Sequence, residues 1–327
     1  MKTYLILIII TAMLLIPAGC GRGGARVAFL LYDGSDTFIS EMTDRMLANI
    51  PDGIQADVFD AGNSQAVQNQ QIVETIAGKY DLLVVNPVDR LACGVIAEKC
   101  VKENVPIIFF NREPLKDAMF SDKVFYVGAA ADSLGEKQAV IAADIFTREA
   151  ARYDRNGDGV IQLVILKGEQ GHQDAEKRAD NCVNKLKELG FRVETLAVEI
   201  ADWNRRKAYD AMSSLYARFG GAIELVFAGN DDMALGAIDY LTADGGGKPF
   251  LIIGVDGTAV GLEAVGKGLL YGTVNNDLKK QSDAILTLAD YILGGRDLAD
   301  FPYPITGGHY IFIDGDIITM ENLADYS

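Results

Sequence analysis

The chain has 327 residues, 30 of them Lys or Arg and 46 Asp or Glu, for a formal charge of −16 with histidine neutral. That balance excludes the clustered basic side chains that a nucleic-acid backbone requires, and equally a basic patch on an anionic membrane. With 49% apolar residues and only 8 prolines the composition is that of a folded chain, long enough for two domains of about 150 residues each.

The first twenty residues stand apart. Lys2 precedes an apolar run from Tyr4 to Ile16, broken only by Thr11. The run is shorter than the roughly 20 residues that span a bilayer, and it fits the apolar part of a secretory signal. Residues 1–19 are therefore expected to be a signal peptide. Ala18-Gly19-Cys20 resembles a lipoprotein signal, which would make Cys20 a lipidated N-terminus and the membrane contact a lipid anchor alone. Pro17 stands where that motif has an aliphatic residue, and the alternative is an ordinary signal with an incidental cysteine. The other cysteines, Cys93, Cys100 and Cys182, are odd in number and form no complete disulfide framework. Cys93 and Cys100 are seven apart on a predicted helix, about 10.5 Å along its axis. A disulfide spans roughly 7 Å, so they read as buried small hydrophobes.

From residue 26 onward, apolar runs alternate with amphipathic segments. Strand Val27–Leu31 precedes helices Ser40–Asn49 and Ala66–Lys79, and strand Leu82–Val85 precedes helix Leu91–Glu103. Strands Pro106–Phe110 and Val124–Val127 lead to helix Asp132–Tyr153. Strand Gln162–Leu166 is followed by helices Asp174–Leu189 and Arg205–Arg218. Strand Glu224–Ala228 precedes helix Asp232–Thr242, strand Leu251–Val255 precedes Ala259–Gly266, and strand Gly272–Val274 precedes Leu278–Leu293. Continuous apolar strands alternating with helices predict an α/β fold with parallel sheets buried on both faces. Eight strands and nine helices suit two sheets.

Open parallel sheets bind ligands at the carboxyl ends of their strands. The residues there read Asp36, Asn86, Asn111-Arg112, Gly168-Glu169, Asn230-Asp231, Asp256 and Asn276-Asp277. A single Asp or Asn in such a place is ordinarily a helix cap. Seven hydrogen-bonding ends out of seven point to a polar site. A second signal is Asp154-Arg155-Asn156-Gly157-Asp158-Gly159-Val160-Ile161-Gln162. Asp154, Asn156 and Asp158 alternate as in the opening of an EF-hand, with the Val160 carbonyl and the Gln162 amide oxygen to follow. The bidentate Glu of that motif is absent, since Ile165 holds its place, and a metal-free Asp/Asn/Gly turn is the alternative.

At this point the chain resembles the periplasmic D-galactose/D-glucose-binding proteins, solute-binding components of ABC sugar importers that in some bacteria also serve a chemoreceptor. The resemblance runs from about Arg26 to Tyr326. It is carried by Asp36-Thr37-Phe38, Phe109-Phe110-Asn111-Arg112-Glu113-Pro114, the stretch Leu166 to Arg178 with Gly171-His172-Gln173-Asp174-Ala175-Glu176, Asp202-Trp203, Asn230-Asp231, Gly254-Val255-Asp256 and Gly272 to Asp277. The resemblance implies two Rossmann-like lobes joined by a three-segment hinge, the type I periplasmic binding protein fold. One lobe would hold 26–128 plus 278–312, the other 131–275 plus 316–327, with crossings near Gly128–Ala131, Asn275–Leu278 and Phe312–Asp316. It further implies a monomeric carrier, not an enzyme, that traps galactose or glucose outside the cell membrane and hands it to an ABC permease. Asp36, Asp174 and Asp256 would accept from sugar hydroxyls, while Asn111, His172, Arg178, Asn230 and Asn276 complete the polar shell. Phe38 and Trp203 would sandwich the ring, surface packing of Trp203 being the alternative. Three carboxylates against one arginine would reject acidic or phosphorylated sugars. The same resemblance supplies Glu224 as the missing ligand of a structural Ca2+ held with Asp154, Asn156, Asp158, Val160 and Gln162.

Other classes fit less well. Ribose or another neutral monosaccharide is the nearest alternative. A glycosidase using Asp36 and Asp256 would need a set carboxyl separation around a glycosidic bond. Tyr32-Asp33-Gly34-Ser35-Asp36 lacks a dinucleotide fingerprint, and no phosphate loop is present.

Overall fold

The computed structural model describes residues 24–243 and 250–326. The predicted signal segment 1–19 and Cys20 lie outside the described residues. In chain order β1 (Ala25–Leu31), α1 (Thr37–Ala48), β2 (Ile54–Asp60), α2 (Gln65–Ala77), β3 (Leu82–Val85), α3 (Cys93–Lys102), β4 (Ile107–Phe110) and β5 (Val124–Ala129) form one lobe. The second is formed by α4 (Ala131–Tyr153), β6 (Val160–Lys167), α5 (Gln173–Glu188), β7 (Arg192–Ile200), α6 (Arg205–Phe219), β8 (Leu225–Ala228), α7 (Asp231–Ala243), β9 (Leu251–Asp256), α8 (Ala259–Gly266) and β10 (Gly272–Asn275). Then α9 (Leu278–Gly294) and β11 (Tyr310–Ile313) return to the first lobe, and β12 (Asp316–Thr319) to the second.

Each lobe has one six-stranded sheet, ordered β11-β5-β4-β3-β1-β2 and β12-β10-β9-β8-β6-β7. The eight strands expected from apolar runs are the eight interior ones. The four that the sequence reading missed, β2, β7, β11 and β12, are the four sheet edges. The edges β2 and β7 are half in water and break their apolar runs with polar residues; in β7, for example, Thr195 and Glu199 are exposed, whereas β11 and β12 are only four residues long. A second correction concerns direction, since β12 runs antiparallel to β10 with Gly272 opposite Thr319. The chain passes between the sheets after Ala129, after Asn275 and after Ile313, the same three stretches expected as crossings.

Both faces of each sheet are covered. In the first lobe Phe29, Val84 and Ile108 pack against α1 and α9 through Ile39, Met42, Ile285 and Leu288. On the opposite face Ala28, Leu83 and Phe109 meet α2 and α3 through Ile72, Ile96 and Cys100. Cys93, Cys100 and Cys182 are free and buried, the first two as their helical spacing leads one to expect, and burial pushes the Cys100 thiol up to about 12.

At the carboxyl ends of the second sheet a fully buried acid, Asp231, ties three strands together. Its Oδ2 accepts from Thr258 N at 2.9 Å and Thr258 Oγ1 at 3.1 Å, and its Oδ1 from Thr273 Oγ1 at 2.6 Å. Glycine is required beside it: a Cβ at Gly254 would fall 2.4 Å from one oxygen and a Cβ at Gly261 2.1 Å from the other. Burial pushes this carboxyl up to about 7, against the hydrogen bonds from Thr273 and Thr258. The folded chain therefore holds a proton that the unfolded chain releases near pH 4, so this group makes stability fall as pH rises from about 4 to about 7. Asp231→Asn is expected to remove up to about 1.4 kcal/mol per pH unit of that slope. Denaturant melts of both forms from pH 4.5 to 7.5 check this; parallel profiles contradict it.

Candidate functional site

The carboxyl ends of the two sheets face one another across a cavity. The space between its walls is about 350 Å³. Its wall contains all ten residues expected from the sequence: Asp36, Phe38 and Asn111 from the first lobe; His172, Asp174, Arg178, Trp203, Asn230 and Asp256 from the second; and Asn276 from a crossing. Tyr32 and Ile39, which were not anticipated, complete it with Arg112, a strand-end residue given no ligand role from the sequence. Asn86 is not in the wall; its amide reaches Phe110 O at 3.2 Å and Asn111 Oδ1 at 3.3 Å from behind.

Several of these side chains are helix caps as well as wall residues. Asp36 caps α1, Oδ1 accepting from Ile39 N at 3.0 Å, which starts the helix three residues earlier than the sequence reading placed it. Its Oδ2 accepts from Tyr32 Oη at 2.6 Å. Burial raises the Asp36 acid, opposed by the Tyr32 and Ile39 hydrogen bonds. His172 caps α5, its Nδ1 accepting from Asp174 N at 3.2 Å. This leaves the ring proton on Nε2, a neutral donor, and burial with Arg112, Arg178 and Arg90 nearby holds its pKa well below the usual value. Asn230 accepts from Met233 N at 2.9 Å and donates to Trp203 O at 3.2 Å. Asn276 accepts from Gln281 Nε2 at 2.9 Å and donates to Asp256 Oδ1 at 3.1 Å, so one amide hydrogen of each asparagine remains free for a ligand.

Arg178 is the cation between the acids of the second lobe, 3.5 Å from Asp256 Oδ1 and 3.7 Å from Asp174 Oδ2, with Nη1 donating to Gly229 O at 2.9 Å. Burial nonetheless pushes Asp174 up to about 6, and raises Asp256 well above the usual carboxylate range. Trp203 stands edge-on to His172, ring centroids 5.2 Å apart. Its backbone has φ 61° and that of Asp256 φ 115°, conformations that L residues rarely adopt. Strain of this kind collects at functional sites.

Arg112 changes the expected charge balance. Its Nη2 lies 2.7 Å from Glu169 Oε2 on the opposite lobe, its Nη1 donates to Val88 O at 2.5 Å, and its guanidinium sits 3.9 Å from the Tyr32 ring centroid. The site has two arginines where one was expected, but Glu169 neutralises the second, so the acids remain in excess. Thr37 also donates across the cleft to Asp232 Oδ2 at 2.6 Å, and Gln173 bonds both Arg90 and Glu113. The lobes are thus closed upon each other.

The predicted metal loop runs from the end of α4 into the first three residues of β6. Asp154 accepts from Gly157 N at 2.8 Å and Gly159 N at 3.0 Å, and Asp158 Oδ1 from Val160 N at 2.7 Å. Asn156 Oδ1 accepts from Asp158 N at 2.9 Å. Glu224, buried, accepts from Arg155 N at 2.6 Å and Gln162 N at 3.2 Å, which brings it onto the loop from the position just before β8. Its acid is raised, by burial first. Among the described residues no three His, Cys, Asp or Glu side chains are arranged as a metal cluster. Gln162 Oε1, however, is a buried acceptor without a hydrogen-bond partner, and the set is all oxygen, which fits a hard cation.

A Cβ at Gly168 would lie 2.2 Å from the Trp203 ring. Gly168→Ala is therefore expected to displace the indole, shift its emission and weaken ligand binding about tenfold or more, the scale of an overpacked contact. Fluorescence spectra and ligand titrations of the variant check this, and an unmoved spectrum with unchanged affinity contradicts it.

A family model described as a periplasmic binding protein domain matches residues 27–297. The D-galactose/methyl-galactoside binding periplasmic protein MglB of Haemophilus influenzae is 33% identical over 279 residues, 84% of this chain and 83% of its own. The ribose import binding protein RbsB of Escherichia coli is 26% identical over 276 residues, 82% and 86% of the two chains. Among solved structures, an ABC transporter periplasmic solute binding protein from Actinobacillus succinogenes with bound D-allose matches in fold, with a TM-score of 0.78 at 22% identity over 92% of this chain and all of that one. With two six-stranded lobes of the type I fold and these matches along its length, the chain belongs to the periplasmic binding protein family.

Proposed function

We propose that this protein captures a neutral hexose, D-galactose or D-glucose, between its lobes and delivers it to an ABC sugar importer. Its family places its work in the periplasm or at the extracytoplasmic face of the membrane. The observation that carries the reading is the convergence of acceptors, amide donors and two aromatics from both lobes on one small cavity. A sugar hydroxyl donates once and accepts up to twice. Leaving one unpaired on burial costs about 1–3 kcal/mol. Asp36, Asp174 and Asp256 accept; Asn111, Asn230, Asn276, Arg178 and His172 Nε2 donate; Phe38 and Trp203 cover the apolar ring faces. The bound sugar bridges the lobes, and the closed form is what a transporter reads. Another neutral monosaccharide such as ribose is the second reading, favoured by the similarity to a ribose import protein. Lipidation at Cys20 would tether the carrier to the membrane.

Titration of D-glucose, D-galactose and D-ribose against Trp203 fluorescence, with a parallel assay for product, tests this. A saturable response to a hexose without turnover is expected, with glucuronate and glucose 6-phosphate bound at least about tenfold more weakly because the acids are in excess. Turnover, or silence to all three neutral sugars, contradicts it.

The loop 154–162 with Glu224 is proposed to hold a structural Ca2+, Gln162 Oε1 supplying one ligand and the acids turning from their own backbone amides onto the ion. Thermal melts with Ca2+ and with a chelator are expected to differ by several degrees, as for any ligand bound by the native state alone; identical melts contradict it.

A further inference from the structure

The sugar cavity shares two of its wall residues, Arg112 and His172, with a second space. This is a groove between the lobes, about 1090 Å³ in volume against about 350 Å³ for the cavity. Arg112 is held as a partition between the two spaces from three directions: by the Val88 carbonyl, by Glu169 of the opposite lobe at 2.7 Å and by the Tyr32 ring. His172 stands beside it, fixed by the Asp174 amide. Beyond the partition the groove wall is polar, with the amides of Asn63, Gln65, Gln170 and Gln173 beside Asp89, Arg90 and Glu113; Gln65, Gln170 and Gln173 bond protein partners there. Amide and charged groups alike pair with hydroxyls, so a second sugar ring entering the groove would exchange these protein partners for its own hydroxyl edge.

We propose that Arg112, pinned by Glu169, confines the ligand to a single sugar ring, and that without it the groove accepts the second ring of a disaccharide. The inference rests on the sugar-binding reading of the same site. The ion pair gives the partition its place: the guanidinium is buried, 5% exposed, and its planar fork spans the cleft, which a shorter or uncharged side chain does not.

The test is a set of fluorescence titrations of wild type, Arg112→Ala, Arg112→Lys and Glu169→Ala with glucose, galactose, cellobiose, lactose, maltose and melibiose. Circular dichroism melts establish that each variant is folded. Wild type is expected to prefer its monosaccharide over every disaccharide by about a hundredfold or more. In Arg112→Ala that ratio should fall by at least about tenfold for one or more disaccharides, with a smaller fall in Glu169→Ala and least change in Arg112→Lys. If Arg112→Ala does not fold, Glu169→Ala decides. A wild type that binds a disaccharide as tightly as a monosaccharide, or a ratio unchanged in the alanine variants, overturns the partition alone. Wild type that binds no sugar of the set overturns the hexose reading and the partition with it.

Discussion

Four carboxylates, Asp36, Asp174, Asp231 and Asp256, are gathered at or beside the strand ends, and burial raises the acid of every one. Desolvating a carboxylate is costly unless its oxygens are hydrogen-bonded or paired, and this cost organises the region. Asp231 is satisfied entirely from within, by Thr258 and Thr273. The others are satisfied in part: Asp36 by Tyr32 and the Ile39 amide, Asp256 by Asn276, and Asp174 by an arginine 3.7 Å away. Acceptor capacity left over on three carboxylates, facing one cavity, is what a hydroxyl-bearing ligand completes.

The same economy explains why capping and binding fall on the same residues. A helix that follows a parallel strand begins at the sheet's carboxyl end, where its first amide groups need acceptors. Asp36, His172 and Asn230 each supply one atom to the helix behind and turn another toward the cavity. Their orientation is thereby set by secondary structure, so the wall is built before a ligand arrives, which lowers the ordering cost of binding.

Much of this was legible in the sequence because interior parallel strands are apolar without interruption, and their ends mark the site. The edges β2 and β7 escaped because water on one side interrupts the apolar run, and β11 and β12 because each is only four residues long. Tyr32 and Arg112 escaped for another reason. Tyr32 lies one residue past β1, beyond the run that the sequence reading ended at Leu31, while the role of Arg112 depends on Glu169, which only folding brings across the cleft. The positive φ of Trp203 and Asp256, and the glycine that makes room for the indole, are likewise facts of three dimensions. Glu224 reached the loop at 154–162 through a resemblance, because two strands side by side leave no local spacing to read.

The central claim is that a neutral hexose completes the half-satisfied acids of the two lobes. A crystal structure of the protein grown with D-glucose addresses it directly. The account predicts a pyranose between Phe38 and Trp203, with hydroxyls within hydrogen-bond distance of Asp36, Asp174 and Asp256. A sugar bound elsewhere, or a Trp203 ring turned into bulk water with glucose present, would contradict it.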